Sequence, residues 1–301
     1  MNFDLQQVKN ILQKQTEQSL ETQKSTLSKN LPEDVMGYRI IDKMGRGGTA
    51  VVFKAENATG DIVALKLLYP GLHKEKKVAQ QFVNEGMILL KLNHPNIIKG
   101  YDFGIFQDMY FLALELIEGE SLESFMNQGL AFTERYTFEL ALQVAKALAY
   151  LEKKGMIHRD VKPANLLLAD SGIVKLSDFA FAIERSQLLA NVNKQNDTCG
   201  TVEYMSPEQA RGYTDLDIRS DVYSLGITCF HMLTGHVPFS DEDPREVMRC
   251  QIYEEIDFDN IPNISKLGKA VLRMMLEKNK HKRAKATQLV PILEKVLKRL
   301  L

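Results

Sequence analysis

Three cysteines in 301 residues, Cys199, Cys229 and Cys250, are too few and too unevenly spaced for a disulfide framework or a structural zinc site. They read as the reduced thiols of a cytoplasmic protein. Net charge is just as scarce: 38 Lys+Arg against 39 Asp+Glu leave -1, so bulk electrostatics nominate no polyanionic partner such as a nucleic acid. Long apolar runs are missing, none approaching the roughly 18 residues of a membrane span. The opening MNFDLQQVKN lacks the basic-then-apolar layout of a secretory signal, and the closing VLKRLL carries no clear stop signal, which leaves room for a longer protein. There is no internal repeat and no low-complexity tract. What remains, 45% hydrophobic and 26% charged, is a globular composition with length enough for one large domain or two.

Within those limits the chain changes character twice. Residues 1–36 are rich in Gln, Lys and Glu, with Leu5, Val8 and Leu12 at helical spacing and thinner apolar marks at Leu20 and Leu27. The stripe fades after Leu12, which favours a loosely packed helical extension over a regulatory or dimerising helix, with a dimer through this segment left open. Pro32 closes it. From Tyr38 to Leu67 the residues alternate as YRIIDKM, AVVFKAEN and IVALKLL around a turn at Thr59-Gly60-Asp61, predicting three antiparallel strands. A helix is predicted over 74–92, then two more strands ending in MYFLALELIEG. Downstream, helical patterns dominate: TFELALQVAKALAYLEKKG, stopped by Gly155, and SDVYSLGITCFHMLTG, stopped by Gly235. The expected class is α+β, a small sheet-rich half ahead of a larger helical half, with a hinge near Glu115 to Gly119.

Four local features ask for a chemical explanation. In the predicted helix, Val78, Phe82, Leu89 and Leu92 share one face and Glu85 falls inside that stripe, so its carboxylate faces the core and needs a cation. In IVALKLL, Lys66 is in phase with Ala64 and Leu68 on a strand apolar on both faces, so its ammonium is embedded too. Two buried opposite charges ask to be paired. The stretch GMIHRDVKPANLLL crowds His158, Arg159, Asp160, Lys162 and Asn165 between apolar runs, where charges are costly without partners. Gly45, Gly47 and Gly48 lie between two strands. A dinucleotide site would need a helix after such glycines, and here a strand follows, so a hairpin lid over phosphates is the better functional reading.

In order, the chain carries this glycine loop, VALK ending at Lys66, the buried Glu85, HRDVKPAN at 158–165, SDFA at 177–180 and GTVEYMSPE at 200–208. The set resembles, in content, order and spacing, the signature motifs of eukaryotic-like Ser/Thr protein kinases, and its wording is most like the bacterial members. The resemblance runs from Tyr38 to the C-terminus. It implies a bilobal kinase fold over 37–301: an N-lobe about 37–117 with a small antiparallel sheet and one helix, and a mainly helical C-lobe about 118–301. It implies ATP and Mg2+ as cofactors and a protein substrate with a Ser or Thr acceptor. Asp160 would orient the acceptor hydroxyl and take its proton, and Lys162 would neutralise the moving phosphoryl group. Asn165 and Asp178 would hold magnesium, and Lys66, fixed by Glu85, would grip the α- and β-phosphates. Further nucleotide contacts are implied for Gly45, Gly47, Gly48, Val52, Ala64, Glu115 and Ile117. Thr201 would touch Asp160 and Lys162, Asp221 would hold the catalytic-loop backbone rather than merely cap its helix, and Glu208 would pair with Arg283. His158 and His94 are given structural roles.

The implied activity includes autophosphorylation. Arg159 is placed to receive an activation-loop phosphate, with Thr198 the first candidate and Ser186 a weaker one. Ala50 and Ala180 stand where the family pattern has glycine, and are expected to restrict the backbone there. Gly100 stands where many members carry a larger aliphatic residue, and is expected to loosen packing behind the helix of Glu85. The alternative is a pseudokinase scaffold that binds nucleotide or a partner without transfer. Its mark would be loss of Lys66, Asp160, Asn165 or Asp178, and all four are present. A small-molecule kinase of the same fold is disfavoured by the intact GTVEYMSPE, which in protein kinases shapes the peptide-docking floor. The basic run KNKHKRAK at 278–285 is expected to be a solvated turn rather than an anion-docking patch.

Overall fold

The computed structural model describes residues 33–129, 132–190, 200–259 and 261–300. The expected N-terminal extension, apart from 33–36, lies outside them. Two compact units are formed. The first runs to Leu90 and resumes over Gly100–Leu116; the second takes Lys91–Lys99 and the chain from Ile117 onward. Among the described residues, no helix is long and apolar enough to cross a membrane.

The first unit is an antiparallel sheet of six strands with one long helix. Its strands are β1 (Asp34–Val35), β2 (Tyr38–Arg46), β3 (Ala50–Glu56), β4 (Ile62–Leu68), β5 (Gly100–Phe106) and β6 (Met109–Glu115), in the order β1-β2-β3-β4-β6-β5. Because side chains alternate along a strand, each residue's face follows from its cross-strand partner. Val51, Phe53, Leu65, Leu67, Phe111 and Ala113 join one buried cluster. The other face carries Val52 and Leu112, both directly opposite Lys66, and Leu114, opposite Ala64. That register puts Val52, Ala64 and Lys66 together.

Helix α1 (Lys76–Leu89) is shorter at both ends than the predicted 74–92. Lys74 belongs to a preceding 3-10 turn, and Leu92, though buried, lies in the irregular stretch that leads to Pro95, where a helix cannot continue. The buried face is Phe82, Glu85, Gly86 and Leu89. Gly86 is a matter of room: a Cβ there would lie 2.4 Å from the Phe103 ring. Gly100 likewise lets β5 approach the helix, since a Cβ would meet the Leu89 backbone at 3.0 Å. The expected loosening behind α1 is therefore the reverse of what is found; the missing side chain makes the contact tight. Gly86→Ala is expected to lower stability by about 1–3 kcal/mol through overpacking, despite alanine's better helix propensity. The double variant Gly86→Ala/Phe103→Leu should unfold at higher urea concentration than Gly86→Ala alone.

The second unit is mainly helical. Its short strands are β7 (Gly119–Ser121), β8 (Met156–Ile157), β9 (Leu166–Ala169), β10 (Val174–Leu176) and β11 (Ile183–Glu184); β9 lies between β10 and β7, and β8 pairs with β11. The helices are α2 (Leu122–Asn127), α3 (Glu134–Lys153), α4 (Arg185–Ala190), α5 (Pro207–Ala210), α6 (Ile218–Thr234), α7 (Pro244–Tyr253), α8 (Lys266–Met275) and α9 (Ala286–Leu297). Helix α3 starts at its Thr133 cap, whose hydroxyl accepts the Tyr136 N–H, and α9 packs along it. Helix α6 is buried almost all round. Its Ser224 and Thr228 hydroxyls donate to carbonyls four residues back, which is how a polar side chain is tolerated there.

Candidate active site

In the first unit the two embedded charges meet. The Lys66 Nζ donates to both Glu85 oxygens, at 2.9 and 2.7 Å, and lies 5.8 Å from the centre of the Phe82 ring. The Glu85 side chain is 3% exposed and that of Lys66 20%. Removing a carboxylate so far from water is costly, and the ammonium offsets that cost only at such a distance. The glycine turn joins β2 to β3: Gly45 pairs with Val52, and the Gly47 N–H donates to the Ala50 carbonyl at 2.8 Å. Ala50 is 3% exposed with no positive φ, and Ala180 has none either, so alanine fits the backbone at both positions where glycine was the pattern. Glu115 ends β6, and at Ile117 the chain returns to the second unit.

In the second unit the crowded loop resolves around Asp160, itself 5% exposed. Its Oδ1 accepts the Thr201 N–H at 3.1 Å and the Thr201 hydroxyl at 3.3 Å. Its Oδ2 accepts from Asn165 Nδ2 at 2.9 Å and from Lys162 Nζ at 3.0 Å. Lys162 also donates to the Thr201 hydroxyl oxygen. Asn165 spends its amide N–H bonds on the Asp160 carboxylate and carbonyl, so its Oδ1 carries the remaining capacity. The Asn165 carbonyl accepts the Ser177 N–H at 2.9 Å, which brings the neighbouring Asp178 to this loop.

Arg159 and Asp178 both have left-handed backbones, φ 70° and 59°, a conformation that costs of order 1–3 kcal/mol and persists only where the surroundings over-determine it. For Arg159 the surroundings are explicit. Asp221 accepts the N–H groups of His158 and Arg159, each at 2.8 Å; the Arg159 carbonyl accepts from Gln209 at 3.1 Å; and its Nε donates to the Phe181 carbonyl at 2.6 Å. The helix cap is Asp217, so Asp221 is left for the loop. Burial pushes the Asp221 carboxyl up to about 7, against the pull of those two N–H donors and of Arg159. His158 is fully buried, and burial holds its imidazole below the usual value despite Asp160 and Asp178. The neutral ring with hydrogen on Nε2 satisfies both contacts, donating to the Ser177 carbonyl at 3.1 Å and accepting the Asp160 N–H at 3.3 Å.

Gln209 is a further loop anchor, outside the motif roles named above. The run Ser206 to Gln209 reads as a capping box, and the amide left over from that box holds the Arg159 carbonyl. Tyr204, whose hydroxyl lies 2.8 Å from His231 Nδ1, had no signal in the sequence, because the pair is 27 residues apart. Ser186 is exposed on α4, while Thr198 lies outside the described residues. Glu208 and Arg283 form the expected buried pair at 2.7 and 3.1 Å. The basic run is more occupied than a solvated turn: Lys278 donates to the Gln251 carbonyl at 2.8 Å and Lys280 to Asp215 at 2.6 Å.

Among the described residues no three His, Cys, Asp or Glu side chains gather as a closed metal site would need. Magnesium asks for less, because it keeps water and phosphate oxygens in its shell. The Asn165 Oδ1 and the Asp178 carboxylate are hard oxygen donors and fit that ion.

Comparison with known proteins adds an independent result. Residues 38–292 match the family described as protein kinase domain. A probable serine/threonine-protein kinase PknB of Lactococcus lactis is 34% identical over 236 residues, 78% of this chain and 36% of its own length. A probable serine/threonine-protein kinase of Clostridium perfringens is 32% identical over 267 residues, 87% of this chain and 38% of its own. The serine/threonine-protein kinase PrkC of Bacillus subtilis is 34% identical over 206 residues, covering 68% and 31%. The chain thus spans about a third of the length of these curated relatives.

Proposed function

The chain belongs to the protein kinase domain family, and from that premise we propose that it transfers the γ-phosphoryl group of ATP to Ser or Thr hydroxyls of proteins. The observation that carries the reading is Asp160: a buried carboxylate whose two oxygens are oriented by Thr201, Lys162 and Asn165 at 2.9–3.3 Å. A carboxylate so held is ready to accept a hydroxyl proton and to aim the oxygen that loses it. Lys162, bonded to both Asp160 and Thr201, stands as the cation for the transferring group. Asn165 Oδ1 and Asp178 would hold magnesium, which when bound would supply positive charge to neutralise the phosphate oxygens. In the first unit, Glu85 holds the Lys66 ammonium on the sheet face it shares with Val52 and Ala64, which suits a phosphate grip with apolar neighbours for a nucleotide base. The names of the relatives support Ser/Thr as the acceptor class, and the free thiols of Cys229 and Cys250 fit a cytoplasmic setting.

The test is incubation of the purified chain with magnesium and γ-labelled ATP beside a generic Ser/Thr acceptor protein. Label on the acceptor is expected; nucleotide-dependent thermal stabilisation with no label anywhere would favour the scaffold instead. We further propose Thr198 as the principal site of self-modification, its phosphate facing Arg159. Mass spectrometry after the same incubation should find phosphate on Thr198 ahead of Ser186, and an unmodified loop in a chain that labels other proteins would refute it.

A further inference from the structure

A concave groove of about 420 Å³ in the second unit is lined by His94, by Lys146, Ala149, Tyr150 and Lys153 of α3, and by Val290 of α9. The apolar lining is half-buried and the two lysines are exposed, so the groove has an apolar floor and a cationic rim. No carboxylate is among the residues that line it. Lys146 approaches Glu294 at 3.5 Å, but both side chains are near 45% exposed, and such a pair is weak and exchangeable. Lys153 has no carboxylate partner among the described residues, and Lys154 lies over the Tyr150 ring at 5.2 Å. The nearby Glu152 is occupied by the Thr287 N–H at 2.9 Å and by Lys285.

His94 lies in the same field. Its Nδ1 accepts the Asn96 N–H at 3.1 Å, which leaves the proton on Nε2 as a fixed donor. Burial lowers the basicity of the ring, and the charges of Lys175 and Lys146 lower it further. A positive potential over an apolar concavity selects an anion that brings an apolar group with it, which a bare phosphate does not, and a concave floor suits a chain segment better than a flat bilayer.

We propose that this groove docks a short acidic segment of a partner protein, an apolar side chain seated against Tyr150, Ala149 and Val290 between carboxylates that pair with Lys146 and Lys153. Docking there is separate from phosphoryl transfer and needs no nucleotide, so either property can fail without the other.

The test is fluorescence anisotropy with the full chain and a labelled peptide of one leucine flanked on each side by two aspartates. Saturable binding is expected, weakening as salt screens the exposed charges. Lys146→Glu/Lys153→Glu should bind at least about tenfold more weakly, reversal of two rim charges being a specificity change of that order. Lys153→Glu alone, which loses no internal partner, should show part of the effect, and transfer to a generic acceptor should be unchanged. By NMR the His94 titration midpoint should rise when the peptide is bound. Absent saturable binding, equal binding by the double variant, or an unmoved His94 would overturn the proposal. Retention on anionic lipid vesicles through the same lysines, with no peptide binding, would overturn it in favour of a membrane surface.

Discussion

Asp160→Asn is expected to reduce phosphoryl transfer by at least about 100-fold at saturating ATP and acceptor, the lower end of what a positioned general base contributes. The amide keeps the size of the side chain and can still accept from Thr201 on one oxygen. Its NH2 group, however, replaces the oxygen that now accepts from Asn165 Nδ2 at 2.9 Å and Lys162 Nζ at 3.0 Å. Donor then faces donor, and the proton acceptor is gone. Lys66, Glu85 and Asp178 are untouched, so stabilisation by magnesium-ATP in a thermal melt should persist. Activity within tenfold of the parent would remove Asp160 from the reaction.

Arg283→Met is expected to be the most destabilising single change in the second unit, by about 3–5 kcal/mol, because it strands a buried carboxylate. The Arg283 side chain is 0% exposed and that of Glu208 4%. The guanidinium also donates to the carbonyls of Arg219 at 2.7 Å and Glu277 at 2.9 Å, so the loss leaves backbone acceptors unpaired as well. On calorimetry the midpoint should fall by roughly 10 °C for a unit of this size. Glu208→Gln/Arg283→Met, which removes the orphaned charge, should recover part of that.

The same pair gives a pH dependence. Burial pushes the Glu208 carboxyl up, but the charge of Arg283 and its hydrogen bonds outweigh burial and hold the group below the usual carboxylate range. A depressed folded value means that its stabilisation is present above the unfolded value, near 4.3 for glutamate, and is lost as pH falls through the folded one. Arg283→Met should therefore cost least in strong acid, where Glu208 is protonated in both states. A denaturation series across that range checks the sign.

Why some of this was legible in the sequence and some not follows from the distances involved. Glu85 and Lys66 each break a local apolar pattern, so burial and the need for a partner could be read from a dozen residues apiece. Asp160, Lys162, Asn165, Asp178 and Thr201 were legible only as a set, through the family resemblance, since nothing local says that Thr201 returns to Asp160 across 41 residues. Helix ends were read less well: α3 begins at the Thr133 cap, ahead of the apolar run that announced it, and α1 stops short of Leu92. Gly86 gave no signal and Gly100 pointed the wrong way, because a glycine that makes room looks, in one sequence, like a glycine that loosens. Ser206 and Gln209 stand at capping-box spacing, a local signal that does not reveal the use of the spare amide.

The proposed role of Glu85, holding a nucleotide for transfer through Lys66, is tested most directly by a double-mutant cycle on kcat/KM for ATP. Lys66→Met and Glu85→Gln should each lower kcat/KM by about 100-fold, and the double variant should fall little below Lys66→Met alone, since residues that act as a unit are strongly non-additive. Multiplying losses in the double variant, or a Glu85→Gln chain as active as the parent, would contradict it.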